Sequence, residues 1–448
     1  MTETKRLGKE QWFVLVAAFL GWMFDGLEMG LFPIAARPAL HELLEVPPDD
    51  QLTADEKEVW EGKVGNWTSY FVAAFLLGAA SGGLLFGWLG DRMGRVRTMA
   101  VTILAYSLFT GACAFAHSPE LLAVFRFCAA LGMGGEWSLG VALVVECWPE
   151  KFRPLLAGVI GAASNVGFAM IAVVGMSFKV TPDSWRWTML ACATPAALAF
   201  LILILIPESQ RWKESVKKGA AKPLREIFAT RLLGPTLLAI VFASVALIGT
   251  WAAISQFLIN WTDQLAGPER PFAKGTAQLF VSIGAIVGCL IAPLVGGRIG
   301  RRPAYFGLCL LSLLVCGYVF GTVRILPESV ADALPAWIAS LFGGLSQYDT
   351  HFLAACGVAG LVTAAFYGWL PLYLPELFPT RVRTTGQGLS FNFGRIFAAA
   401  GALTTGRLIR DVFNGSYPRA CATITLVYLV GMVLIWFAPE TKGKPLPE

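Results

Sequence analysis

Apolar runs of about 20 residues recur along this chain, each long enough to cross a bilayer as a helix and each closed by a short polar stretch. They predict twelve spans, over roughly 12–36, 65–88, 98–116, 120–148, 154–177, 187–206, 232–259, 275–296, 304–321, 352–374, 385–407 and 418–438. The runs are continuous and do not alternate in ten-residue segments, so the pattern predicts an all-α membrane protein and not a β-barrel. The polar stretch 207–231 falls between the sixth and seventh spans, dividing an N-terminal six-helix bundle (1–206) from a C-terminal one (232–448).

Internal repetition gives that division meaning. Glu146, Pro149, Arg153 and Gly158 recur as Glu376, Pro379, Arg383 and Gly388, every member displaced by the same interval. The sixth span ends Pro207-Glu208-Ser209 and the twelfth Pro439-Glu440-Thr441; Gly90-Asp91-Arg92-Met93-Gly94-Arg95 is echoed by Gly297-Arg298-Ile299-Gly300-Arg301, with no Asp before the arginine. Two pseudo-symmetric halves follow, and in such folds a substrate sits between the halves near the midplane.

Composition agrees: 56% of residues are apolar, 15% are charged and the mean hydropathy is +0.63. The net charge of +5 is explained by topology and needs no nucleic-acid partner. Of 35 Lys and Arg, 22 fall in the termini and the loops on their side and 11 in the opposite loops, which predicts cytoplasmic termini in an inner (plasma) membrane. The two that remain, Arg126 and Arg395, lie inside spans. The polar N-terminus lacks a small-residue cleavage site and is not expected to be a removed signal peptide. The nine cysteines follow no metal or disulfide spacing and are expected to pack. No metal or cofactor is expected. A primary pump would need a Gly-x4-Gly-Lys-Ser/Thr loop, which is absent, and no convergent nucleophile, base or metal set marks an enzyme.

The loop Gly87 to Arg95, with twelve spans in two halves, resembles the major facilitator superfamily over essentially the whole chain. The resemblance implies a rocker-switch transporter whose bundles alternately expose a central cavity. Asp91, Arg92, Arg95, Glu146, Arg153, Glu376 and Arg383 are then the expected conformational gate, Asp91 able to accept from arginines and to cap a helix. Within the superfamily, Arg126, Gly134-Gly135-Glu136-Trp137 and Glu146-Cys147-Trp148-Pro149 resemble the sialate:proton symporter group, which includes lactate and other monocarboxylate permeases. Ala130 stands where the usual arginine motif has glycine. The Pro-Glu-Ser and Pro-Glu-Thr-Lys-Gly endings also resemble sugar porters.

Charges at membrane depth carry the remaining expectations, because each is costly there and marks a functional site. At 1.5 Å per residue, Glu28 lies about 9–12 Å and Arg126 about 9 Å from the outer ends of their spans, so they can meet. Asp25 precedes Glu28 by one turn, so two carboxylates are expected to share one cavity. Glu136 lies about 15 Å deeper than Arg126, at another azimuth, so the two are not simple partners. No span is expected to hold a histidine, His41, His117 and His351 falling in outer loops. Proton coupling is therefore assigned to Asp25, Glu28 or Glu136, and an interhelical structural role is equally open to Glu136. Arg395 has no acid in any C-terminal span to pair with and points to an anionic substrate. Arg126, Arg395, Asn392, Asn165, Gln256, Tyr70 and Tyr367 are the candidate substrate contacts. The expected function is proton-coupled symport of a small organic anion, a monocarboxylate or sialate-like acid, by a monomer. A sugar symporter is the alternative; an efflux antiporter or a non-transporting solute sensor ranks below it.

Overall fold

The computed structural model describes residues 8–48, 51–219, 222–266, 273–323 and 347–448. Twelve membrane-length helices account for most of them: α1 (Lys9–Leu43), α2 (Ala54–Met93), α3 (Arg95–Ala112), α4 (Pro119–Cys147), α5 (Arg153–Ser177), α6 (Trp185–Leu205), α7 (Thr230–Thr262), α8 (Ala273–Ile299), α9 (Arg301–Thr322), α10 (Thr350–Leu377), α11 (Arg383–Arg407) and α12 (Tyr417–Phe437). Eleven are apolar enough to cross a membrane by composition alone. The other, α11, is 25 residues long but carries Gln387, Asn392 and Arg395, which lower its hydropathy.

Local sequence sets the ends. Thr53 and Glu56 form a capping box at the start of α2, each accepting from the other's backbone N–H at 3.4 and 3.0 Å. Ser118 caps α4 through the Leu121 N–H at 3.2 Å, with Pro119 in the first turn, and Trp148-Pro149 stops it. Three spans are broken and one rewound: α6 around Cys192 to Pro195, α10 between Thr363 and Phe366, α12 at Leu426, and α7 by a π-helical stretch over Leu247–Leu258.

Helix α4 is the most enclosed of the eleven, packed against α2, α3, α1 and α11. The halves meet along two seams, α2 against α11 and α5 against α8 and α10. The short helices Gln210–Lys217 and Pro223–Ile227 lie between α6 and α7. Trp148 donates from Nε1 to Gln11 O at 2.9 Å, and Lys218 pairs with Glu448 at 3.1 Å, so both ends of the described chain lie on one face, here the terminal face.

The structure corrects one expectation about the histidines. Helix α1 runs past the expected end of its span, so His41 lies in its last turn, and His351 stands at the start of α10; only His117 is in a loop. Lys5, Arg6, Arg270 and Arg324 lie outside the described residues. All nine cysteines are free and most are buried.

Candidate functional site

At the terminal face the repeated residues form one network, nearly the same in both halves. Glu146 at the end of α4 accepts from Arg383 Nη1 at 2.8 Å, Arg95 Nη2 at 3.2 Å and Ser209 Oγ at 2.5 Å. Its counterpart Glu376 accepts from Arg153 Nη1 at 3.0 Å, Arg301 Nη2 and Nε at 2.7 and 3.0 Å, and Thr441 Oγ1 at 2.6 Å. Arg383 and Arg153 each reach into the opposite half, so both ion pairs tie the bundles together while buried from water. Such pairs are costly to break on one side, because the remaining charge is left dry.

A second layer holds the loops. Gly94 and Gly300, at φ 107° and 112°, take a backbone form that disfavours side chains, and each turns the chain into the next helix. There Glu208 accepts from the N–H groups of Arg95 and Val96, and Glu440 from those of Arg301 and Arg302, at 2.9 to 3.1 Å. A carboxylate at a helix N-terminus is favoured by the dipole. Burial acts to raise the Glu440 pKa, yet these N–H groups, with those of Lys442 and Thr441, hold it below the ordinary value. A lowered folded pKa contributes stability present above the ordinary value and lost as pH falls through the lowered one. Glu440→Gln should therefore cost about 1 kcal/mol at pH 7. In thermal unfolding its deficit against wild type should shrink below about pH 4.

The halves differ at one position. Asp91 accepts from Thr385 N and Oγ1 at 2.9 and 2.6 Å and from Thr384 N at 3.2 Å, capping α11 from α2, with Arg95 3.3 Å away. The matching place in α8 is Gly297, facing Pro154 at the start of α5, which has no N–H to offer. Arg92 lies 4.3 Å over the Trp88 ring, outside this network.

Deeper in the N-terminal half the buried charges sort into two groups. Arg126 pairs with Glu28, which also accepts from Thr110 Oγ1 at 3.4 Å, and the guanidinium lies 3.8 Å over Phe32 and 5.1 Å from Phe75. Asp25, wholly buried, faces Glu136 of α4 within hydrogen-bond reach. Neither carboxyl receives a donor from any described residue. Gly21 makes the approach possible, since a Cβ there would fall 1.8 Å from Glu136 Oε1.

Between the halves lies a cavity lined by Trp22, Phe168, Trp251, Tyr367 and Phe391, with Asn165, Gln278 and Arg395 among its polar groups. Arg395 is 4% exposed; its Nε and Nη1 find no partner among the described residues, and its guanidinium centre is 5.9 Å from Phe75. Phe75 is thus near both arginines. Thr250, Trp251 and Ser255 reach the cavity from the π-helical stretch of α7, a winding often found at functional sites. On the terminal side the cavity ends at Trp137, stacked on Phe391 at 3.9 Å, with Trp22 6.0 Å from Phe391.

Of the candidate contacts, the cavity gathers Arg395, Asn165 and Tyr367. Arg126 does not line it. Asn392 bridges the halves instead, donating from Nδ2 to Gly134 O at 2.9 Å. Gln256 adjoins Ser255 but does not line the cavity, and Tyr70 is exposed on α2, edge-on to Trp67. Sequence reasoning missed three charged participants, as well as Ser209, Thr384, Thr385 and Thr441. Arg301, Glu208 and Glu440 were all present in the repeated turns and span endings; their repetition was visible before their partners were.

Residues 12–345 match the profile of the Major Facilitator Superfamily, and residues 330–448 that of the Sugar (and other) transporter family. The cis,cis-muconate transport protein of Acinetobacter baylyi is 26% identical, over 99% of this chain and 98% of that protein. The sialic acid transporter NanX of Escherichia coli is also 26% identical, over 87% of this chain and 85% of its own length. Among solved structures, the proton:xylose symporter XylE bound to 6-bromo-6-deoxy-D-glucose superposes with a TM-score of 0.70 at 16% identity, covering 98% of each chain, a likeness of fold. A profile that runs from the first span across the linker and into the second bundle settles the family: the chain belongs to the Major Facilitator Superfamily.

Proposed function

We propose that this protein is a proton-coupled symporter of a small organic acid, a monocarboxylate or sialate-like acid. In this reading its two six-helix halves, 1–206 and 232–448, rock about the linker 207–231. The observation that carries the reading is Arg395, a buried guanidinium that lines an aromatic-walled cavity and whose Nε and Nη1 find no partner among the described residues. A carboxylate supplies the acceptors it lacks, in the paired geometry arginine favours. Flat aromatic walls suit a planar or ring-bearing acid, and Asn165 and Gln278 can orient its other polar groups. Relatives named for muconate and sialic acid are in keeping with an organic acid.

The proton belongs to the Asp25 and Glu136 pair. Two facing carboxyls without a donor are satisfied when one proton lies between them, and two bare charges would repel in a dry site. One proton moving with one anion carries no net charge across the membrane. The chain works as a monomer with both termini in the cytoplasm.

Arg395→Ala tests this reading. In proteoliposomes, uptake of labelled muconate, sialate or lactate driven by an inward proton gradient should fall at least about a hundredfold, matching loss of a charge-assisted contact of about 3 kcal/mol. Wild-type uptake indifferent to an uncoupler, or an Arg395→Ala variant as active as wild type, would remove the reading. Uptake of a hexose with none of the acids would favour the sugar alternative.

A further inference from the structure

Four side chains of α11 fall at intervals of four residues: Arg383, Gln387, Phe391 and Arg395. Each step advances the helix about 6 Å, so they form a slowly turning stripe from the terminal face to the central cavity. Three have evident tasks. Arg383 closes the charged gate on Glu146, Phe391 stacks on Trp137 beneath the cavity, and Arg395 faces into the cavity. Gln387 lies between gate and plug and does not line the cavity.

Its condition is unusual. Gln387 is 0% exposed, yet neither Nε2 nor Oε1 has a hydrogen-bond partner among the described residues. An amide brings two donors and an acceptor, and burying all three unmet costs free energy that packing alone does not return. Its chain neighbour Gly388 lies at the seam between halves, packed so closely on α2 that an added Cβ would fall 2.1 Å from Gly83 O. Ser390 Oγ and Asn392 Oδ1 in the same stretch are also unpartnered. This seam is polar on its α11 side and dry only because the halves are pressed together.

We propose that Gln387 is a second substrate station, on the terminal side of the aromatic plug, occupied when the α2 and α11 seam opens. Parting the halves there frees Asp91 from Thr384 and Thr385 and brings Gln387 into the opened path. Its Nε2 donates to the carboxylate of the departing acid and its Oε1 accepts from a hydroxyl or a protonated acid. A neutral amide holds an anion more weakly than Arg395 does, which suits a station the substrate must leave. Substrate entering from the terminal face meets it first.

The inference rests on the organic-acid reading, and the test separates the two. Half-saturation for labelled muconate, sialate and lactate is measured from each face, in vesicles of known orientation, for wild type, Gln387→Met and Gln387→Glu. Gln387→Met should raise half-saturation from the terminal face at least fivefold and from the opposite face less than twofold. Gln387→Glu should weaken the terminal face further, by repulsion. Equal change at both faces, or none at either, overturns the station. Where Gln387→Met does not reconstitute, Gln387→Asn, which keeps the amide but shortens its reach, is judged by the same comparison. If wild type moves none of the three acids, the functional reading fails, and the two-face comparison is made with xylose, where symmetry would overturn the station independently.

Discussion

Glu136→Gln should abolish proton-driven accumulation while leaving exchange intact. At one proton per anion, an inward gradient of one pH unit stores about 1.4 kcal/mol and supports about tenfold accumulation in the wild type. With the amide in place the pair no longer takes up and releases its proton, so the variant should equilibrate its substrate without concentrating it. Counterflow of labelled against unlabelled acid needs no net proton movement and should stay within about threefold of wild type, because Arg395 and the cavity are unchanged. Asp25→Asn should behave alike, since either amide can donate to the remaining carboxylate and hold the pair in one state. Accumulation persisting in both variants would take the proton away from this pair. Glu28 then becomes the candidate, although its carboxylate already pairs with Arg126.

Glu146→Gln should loosen the closed terminal face. The carboxylate answers Arg383 from the other half and Arg95 from its own, and removing it leaves Arg383 buried with backbone acceptors at Pro375 and Pro447. Stranding one member of a buried pair costs about 3–5 kcal/mol. Opening relieves that cost by giving the guanidinium water. Reaction of a Ser138→Cys thiol with a reagent applied from the terminal face should quicken at least tenfold, since 1.4 kcal/mol of shift suffices for that. Ser138 is fully buried at this seam, beside Gly388, and the nine native thiols set the background in the parent protein. Unchanged labelling would mean that the network does not hold the closed form.

Much of this was legible in the sequence, for reasons that differ by element. Apolar length gives the spans because the bilayer fixes what a helix must cover. The charged network at the terminal face left a mark in the sequence because it is written twice: the Glu146 to Arg153 turn and its copy at Glu376 to Arg383 exchange arginines across the halves. The meeting of Asp25 with Glu136 was not legible. Spacing along one helix gives depth and azimuth, but which helices touch depends on crossing geometry, and Gly21 records that contact only by lacking a side chain. Asn392 misled for a related reason, as a polar residue in a span serves a neighbouring backbone as readily as a ligand. Tyr70 was a candidate contact as an aromatic within a span, whereas its side chain is turned outward on α2.

The exchange of Asp91 and Thr384 in one seam for Gly297 and Pro154 in the other makes the two doors of this protein unlike. Both carry an arginine bolt, but only the door between α2 and α11 has a clasp. Placing Asp at 297 would restore only part of the clasp, because Pro154 has no N–H and Leu155, where the other seam has Thr385, has no hydroxyl to donate. Parting the α5 and α8 seam breaks an ion pair, that of Arg153 and Glu376, whereas parting the α2 and α11 seam breaks an ion pair and the cap on α11 as well. In the proposed opening toward the terminal face, the seam beside the stripe of α11 that carries Gln387 is thus the one that has to release a helix cap as well as an ion pair.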